Sequence, residues 1–435
     1  MGGSSYGTEY TREQINEALA SDDPLSLVPT QDTIGHGTFL AGLAAGSSIP
    51  QEDFTGAAPE AELAVVKLKP AEKYLRDFYL IPSDAPAFQE NDIMMGIKYL
   101  RMMADRLKKP LVILLAMGSN SGSHIGTSPL SQVTQNYSGF FGIITVIACG
   151  NETGAAHHFY ASIPAGTEYE DVEIRVGKEE AERGFVLELW AADADTYTVG
   201  FISPSGERIS RIPIIANNET SIPFLLDATT ITVNYQLIEA ESGSQLIFMR
   251  FQTPAAGIWT VRVYNTQRFK GTFHMWLPVQ GMISEETVFL RPDPYSTITV
   301  PGNSRLPITV GAYDTSTGGI YIHSSRGFTP NQIVKPELAA PGVNILGPSV
   351  GRKPGSDTPM TTRTGTSAAA AITAGAAANL LGWGIVEGNY PTMSEASVKS
   401  YLIRGAQRNP ALTYPNREFG YGTLDLFQTF LRLRE

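Results

Sequence analysis

The sequence predicts an α/β fold, in which a mostly parallel sheet is covered by helices on both faces and carries an inserted antiparallel β-sandwich of jelly-roll-like type. The chain has 435 residues, too many for one small core. Residues 31–165 and 301–435 alternate continuous apolar runs with segments of helical spacing, which indicates a parallel sheet buried on both faces. In residues 166–300 period-2 alternation dominates instead, as in antiparallel sheets with one solvated face.

Residues 1–30 are predicted to form a helix and a loop ahead of the core. Thr11 and Gln14 form a capping-box pattern in front of an apolar helical face, and a proline-containing loop follows. The first residues have neither the basic end nor the apolar stretch of a signal peptide. Either the protein stays inside the cell, or its natural N-terminus lies upstream of Met1.

Residues 31–165 are predicted to hold the first part of the core. Three apolar runs of strand length are Ala64–Leu68, Leu111–Met117 and Ile143–Ala148. Between the first two, Asp92–Leu107 places its apolar residues at helical spacing. Strands and helices in alternation favour a parallel sheet.

The insertion is predicted over residues 166–300, and the second part of the core over residues 301–435. Alternating segments in the insertion include Val172–Val176, Phe185–Leu189 and Trp259–Val263. The core then resumes with the apolar run Leu306–Val310 and an alanine-rich helix from about Ser367.

Charge and cysteine content exclude several classes of function. The net charge of −11 argues against nucleic acid as a partner. The single cysteine, Cys149, cannot form an internal disulfide or a thiolate metal site. No apolar run reaches the roughly 18–20 residues that cross a bilayer. We therefore expect no cofactor, no metal and no membrane segment.

Two motifs contain candidate catalytic residues. Residues 35–42 (GHGTFLAG) place His36 between glycines, which keep its ring open to a substrate. Residues 363–371 (RTGTSAAAA) place Ser367 at the start of a helix, where the helix dipole favours nearby negative charge. Taken alone, His36 is also consistent with a packing residue and Ser367 with an N-cap.

Two further motifs complete the pattern. Residues 147–151 (IACGN) end an apolar strand with Asn151, whose amide NH₂ can donate to an oxyanion; the alternative is a simple turn. Residues 310–313 (VGAY) and 335–343 (KPELAAPGV) indicate strands and turns without chemistry of their own.

In this order, the four motifs resemble those of the subtilisin-like serine proteases, the subtilases. The resemblance covers most of residues 31–151 and 306–426 and excludes the β-rich insertion. The histidine and serine motifs together with that insertion look most like the clostridial Csp germination proteases and related Firmicute subtilases. That narrower resemblance implies a bacterial protein, spore-associated or exported, whose substrate is the precursor of a spore-cortex hydrolase; related enzymes cut other proteins.

The resemblance implies a role for each matching residue. Ser367 would be the nucleophile, His36 the general base and Asn151 an oxyanion donor. Ala116, Met117 and Gly118 would pair with an extended substrate backbone, and Gly150 would line the pocket for the residue before the scissile bond. Partners would be a protein or peptide substrate and the chain's own N-terminal segment or propeptide.

The sequence departs from the family at the triad acid. A subtilase carries this Asp at the end of an early strand before the histidine. Only Asp22, Asp23 and Asp32 precede His36; the first two lie in a polar loop, and Asp32 matches an acidic position of the histidine loop. Three explanations compete: a truncated chain, which we favour, a two-piece protein, and a pseudoprotease that acts as a binding or regulatory module.

Two other groups admit a chemical interpretation. Cys149 lies at the end of an apolar strand, so we expect an inert packing thiol rather than a nucleophile. His157 and His158 are adjacent and point in different directions, which disfavours a metal site and favours a surface or substrate-cleft loop.

Overall fold

A computed structural model describes residues 6–192, 194–215, 218–351 and 359–433. Residues 1–5 of the predicted N-terminal segment lie outside the described residues. The helices are α1 (Arg12–Ala20), α2 (Pro24–Leu27), α3 (His36–Ala45), α4 (Lys73–Tyr79), α5 (Glu90–Leu107), α6 (Pro129–Ser138), α7 (Lys178–Arg183), α8 (Thr366–Leu381), α9 (Glu395–Gly405) and α10 (Leu426–Arg432). The strands are β1 (Leu111–Leu115), β2 (Ile143–Ala148), β3 (His158–Ser162), β4 (Tyr169–Val176), β5 (Phe185–Ala191), β6 (Thr196–Ile202), β7 (Arg208–Ile209), β8 (Glu219–Phe224), β9 (Thr229–Gln236), β10 (Leu246–Gln252), β11 (Gly257–Gln267), β12 (Thr272–Trp276), β13 (Val288–Phe289), β14 (Ile308–Tyr313), β15 (Leu338–Pro341), β16 (Ile345–Pro348) and β17 (Met360–Arg363).

The core is a parallel sheet with the strand order β1-β2-β14-β15. Side chains of β2 alternate between its two faces because successive residues of a strand point in opposite directions. Ile143 and Ile147 pack with residues of α5 and α6, whereas Ile144 and Val146 pack with α8. The predicted α/β fold, with helices on both faces of a parallel sheet, is confirmed.

The predicted strand at Ala64–Leu68 is not a strand in the structure. Its backbone forms no ladder within the described residues, and Val65 is 71% exposed. Val66 nevertheless lies against α5, with Cγ1 3.1 Å from where a Cβ on Gly96 would stand. Strand β1 packs against the same helix and pairs only with β2 among the described strands. Strand β1 and the segment of residues 64–68 therefore both contact α5, and no described strand lies between them.

Residues between the two parts of the core form two antiparallel sheets, with strand orders β3-β12-β5-β10-β9-β8 and β13-β4-β11-β6-β7. Inward residues of both sheets share one apolar cluster, which includes Leu187, Met249, Val199 and Trp259. Alternate residues of each strand face this cluster, as the period-2 pattern predicts. Along the chain, the two sheets comprise strands β3 to β13.

Helices α3 and α8 pack side by side. A Cβ on Gly375 would stand 2.7 Å from the carbonyl oxygen of Ala44, and these residues lie at equivalent distances along the two helices. The segment Thr366–Val386 is long and apolar enough to span a membrane by length and composition, which we did not expect of any segment. Most of it is buried against the sheet and α3, as the core helix of a folded domain would be.

Candidate active site

His36 is the first residue of α3 and follows a glycine turn. Gly35 caps the helix at φ +79°, a conformation that favours glycine. Burial of the ring, and then the nearby Arg363 guanidinium, lower the pKa of His36 below its usual 6.5, against a smaller opposite effect of Asp32. The imidazole is therefore neutral at pH 7 and able to accept a proton.

The Asp32 side chain binds the start of the same helix. One carboxylate oxygen accepts the N–H groups of Ile34 at 2.9 Å and Gly35 at 2.7 Å. The other accepts the N–H and the hydroxyl of Thr38 at 3.0 and 2.8 Å. Burial would raise the pKa of Asp32, but these four hydrogen bonds lower it to about 2. Both oxygens are thus engaged with the start of α3.

Ser367 is the second residue of α8, and the helix cap is Gly365. The alternative interpretation of Ser367 as an N-cap is therefore wrong. Its hydroxyl donates to the carbonyl oxygen of Ala116 at 3.5 Å, which places it beside the segment that follows β1. Its backbone N–H belongs to the first turn of the helix, where N–H groups have no acceptor within the helix.

The side chain of Asn151 is oriented by the turn that precedes Ser367. Its Oδ1 accepts the backbone N–H of Thr366 at 3.0 Å and the Thr366 hydroxyl at 3.1 Å. A backbone N–H can only donate, so the amide oxygen must face Thr366. The Nδ2 group donates no hydrogen bond within the described residues and lies beside Gly365. Asn151 therefore presents a free NH₂ next to the serine.

Ala116, Met117 and Gly118 follow β1 outside the ladder, and Ala116 is the residue that contacts Ser367. A Cβ on Gly118 would meet the Thr299 hydroxyl at 2.2 Å. A Cβ on Gly150 would meet the Thr299 methyl at 2.6 Å. Two predicted substrate-binding glycines thus flank one threonine side chain.

His36 and Ser367 lie in the first turns of two helices that pack together. Within the described residues, however, the His36 ring makes no hydrogen bond, either to Ser367 or to a carboxylate. Catalytic hydrogen bonds are often long before substrate binds, so the first absence is compatible with catalysis. The second means that no carboxylate among the described residues orients the ring as the acid of a triad does.

The other two groups are buried. Burial raises the pKa of the Cys149 thiol to about 12, which makes it inert as a nucleophile. The prediction of a surface or cleft loop for His157 and His158 is wrong: each is at most 3% exposed, and His158 is the first residue of β3, where it stacks on Trp276. His157 Nδ1 lies 3.1 Å from Glu152, and His158 Nε2 lies 2.9 Å from His274 Nδ1. Among the described residues, no group of three or more His, Cys, Asp or Glu side chains is placed to hold a metal ion.

Sequence reasoning missed three residues at this site: Thr366, Thr299 and Gln280. Gln280 Nε2 donates to the Asn151 carbonyl at 2.9 Å. Only Thr366 had a local indication, since it adjoins Ser367 in the Gly-Thr-Ser motif. The other two lie more than a hundred residues from Asn151, and no spacing pattern connects them.

Comparisons with known proteins identify a sequence family and a structural relative. The sequence model of the Subtilase family matches residues 8–204 and 291–422. The solved CspB protease of Clostridium perfringens is 30% identical and covers 98% of this chain and 87% of its own, with a TM-score of 0.86. The prenylagaramide maturation protease PagA is 28% identical over 32% of this chain and 46% of its own, with a TM-score of 0.27. Sphericase is 15% identical over 91% of this chain and 78% of its own, with a TM-score of 0.43. No curated protein sequence matches the chain.

Proposed function

Since the chain belongs to the subtilase family, we propose that it is a serine endopeptidase that hydrolyses a protein substrate through an acyl-enzyme on Ser367. The observation that carries the proposal is the orientation of Asn151. Two hydrogen bonds from Thr366 hold its amide oxygen, so its NH₂ remains available beside the nucleophile. An oxyanion donor needs this arrangement before substrate arrives.

Each of the proposed site residues has its own role in the reaction. An extended substrate would pair with the backbone of Ala116, Met117 and Gly118. Ser367 Oγ attacks the scissile carbonyl while His36 takes its proton, and the resulting oxyanion accepts hydrogen bonds from Asn151 Nδ2 and the Ser367 N–H. His36 then returns the proton to the leaving amine. Water hydrolyses the acyl-enzyme by the same steps in reverse order.

We further propose that the triad acid belongs to a strand that lies between β1 and residues 63–68. Two observations support this: His36 lacks a carboxylate partner within the described residues, and both edges on α5 are unpaired. The same observations support the second candidate, an impaired protease that acts as a binding or regulatory module. Restoring the acid distinguishes the two.

The inserted region is proposed to be a jelly-roll-like sandwich, on the basis of the two antiparallel sheets and their shared core. The proposed domains are the first part of the core (31–165), the insertion (166–300) and the second part of the core (301–435). Because β3 pairs with β12, we move the start of the insertion to about His158. Similarity to a protease of Clostridium perfringens supports the expectation of a bacterial enzyme, and we propose a spore-associated or exported location for it.

The pocket for the residue before the scissile bond is proposed to be shallow, because Thr299 fills the space between Gly118 and Gly150. Thr299→Gly is therefore expected to raise kcat/KM for peptides with Phe or Leu at that position by about 10- to 100-fold relative to Ala. Paired peptides that differ only at this residue measure it. Thr299→Val keeps the volume and should leave the preference for Ala unchanged; an equal widening in both variants contradicts this account.

Hydrolysis of an unfolded protein tests the proposed activity. The chain should release new N-termini slowly, and Ser367→Ala should release none. Equal hydrolysis by the two proteins would refute the assignment of Ser367. Thr364→Ala, a hydroxyl removal in the same loop but outside the proposed chemistry, serves as the matched control and should retain activity.

A further inference from the structure

The segment between β12 and β13 contacts the proposed oxyanion site. Gln280 donates from its side chain to the Asn151 carbonyl at 2.9 Å. Its backbone N–H donates to Glu152 Oε1 at 3.2 Å. Two hydrogen bonds thus join one inserted residue to Asn151 and to the residue that follows it.

Glu152 extends this connection to the substrate-binding side. It is only 6% exposed, and its second oxygen lies 3.1 Å from His157 Nδ1 and 3.3 Å from Asn120 Nδ2. Asn120 also donates to the carbonyl oxygen of Leu277 at 3.0 Å. The returning segment therefore holds the Asn151 loop and the residues just after Gly118 in one network.

Thr366 orients the side chain of Asn151, whereas Gln280 fixes its backbone. We infer that Gln280 is a positioning residue for catalysis, through which the inserted sheets hold the oxyanion donor in place. The inference rests on the proposed function. A displacement of about 1 Å in a reacting group can cost up to about 100-fold in rate. Removal of one exposed hydrogen bond is expected to cost less than this, about fivefold in rate.

The second-order rate of Ser367 labelling by a fluorophosphonate tests the role in the full chain. Gln280→Ala should slow labelling about fivefold, and Gln280→Glu more, because it sets a carboxylate against the Asn151 carbonyl. Gln236→Ala, an exposed glutamine of β9 away from the core, is the matched control and should label at the original rate. In an Asn151→Ala background, Gln280→Ala should have no further effect. The same fivefold loss in that background would show that Gln280 does not act through Asn151 and would overturn the inference.

Amide hydrogen exchange of residues 147–153 decides the same question without activity. Exchange should accelerate in Gln280→Ala and not in Gln236→Ala. Unchanged exchange in Gln280→Ala overturns the positioning role. If the original chain fails to label and still fails when an aspartate-bearing strand is supplied, the proposed function fails, and the exchange result still decides whether Gln280 holds the Asn151 loop.

Discussion

Supplying a strand that ends in an aspartate is expected to raise the rate of peptide hydrolysis by about 10⁴-fold. Loss of the triad acid in related enzymes lowers kcat by about that factor, because the imidazole loses its orientation and the stabilisation of its charged form. His36 has this defect here: within the described residues its ring makes no hydrogen bond. The variant is an N-terminal fusion of about five apolar residues followed by Asp-Ser-Gly.

The structure provides a site for this added strand. Among the described residues, one edge of β1 is unpaired and Ala64–Leu68 forms no ladder, while Val66 of that run contacts Gly96 of α5. Leu63 and Val65 are 55% and 71% exposed, although both are apolar. A strand that pairs with both edges would satisfy their backbone groups and cover part of this apolar surface.

Two controls separate chemistry from folding. The same fusion with Asn in place of Asp should protect the amides of β1 and residues 63–68 from exchange equally well, yet gain little activity. A fusion that protects these amides without any Asp-dependent gain in rate would contradict the endopeptidase and favour the impaired protease.

Acid is expected to destabilise the junction between the core and the inserted sheets. His124, from the loop after β1, stacks on Trp276 of β12 at 3.8 Å between ring centroids. Trp276 also stacks on His158 and His274. Burial lowers the pKa of His124 and of His158 from the usual 6.5 to about 4, and lowers that of His274 as well.

The sign follows from proton binding. Between about pH 6.5 and pH 4 the unfolded chain binds protons on these imidazoles and the folded chain does not, so the unfolding free energy falls as the pH falls. Each pKa lowered to about 4 corresponds to about 3 kcal/mol over this window. Glu395 acts in the opposite direction, because burial raises its pKa to about 8 and protonation favours the folded state.

Urea unfolding of variants at pH 7.5 and pH 4.5 isolates the histidine contribution. His124→Phe keeps a ring against Trp276 and should reduce the acid-induced loss of unfolding free energy by about 3 kcal/mol. Gln236→Ala, which removes no titratable group from the exposed end of β9, should leave that loss unchanged. Identical losses in His124→Phe and the original chain would contradict the assignment.

The sequence predicted elements whose determinants are local. Residues Ile143–Ala148 form β2 with the predicted bounds, and the capping box of Thr11 and Gln14 begins α1. The run Ala64–Leu68 has the composition of a strand but no partner strand among the described residues, because pairing depends on a neighbour that local pattern does not reveal. Composition alone therefore predicted a strand that the structure does not contain.

For the candidate site as well, the sequence predicted the local motifs but not the contacts between distant residues. His36, Ser367 and Asn151 lie in short motifs, and the structure brings Asn151 and Ala116 next to the Ser367 turn. The contacts of Asn151 with Gln280, and of His158 with His274, join residues more than a hundred positions apart. The first contact depends on how the inserted sheets pack on the core, and the second on the pairing of β3 with β12; no spacing pattern records either.

Labelling of the original chain with a fluorophosphonate, read by intact mass, tests the central claim most directly. The account predicts a single slow addition that maps to Ser367, disappears in Ser367→Ala and slows by about 10²–10³-fold in Asn151→Ala. Such labelling requires an assembled oxyanion site and an activated hydroxyl. A chain that remains unlabelled, and stays so when the aspartate-bearing strand is supplied and ordered, would contradict the claim that this site performs acyl transfer.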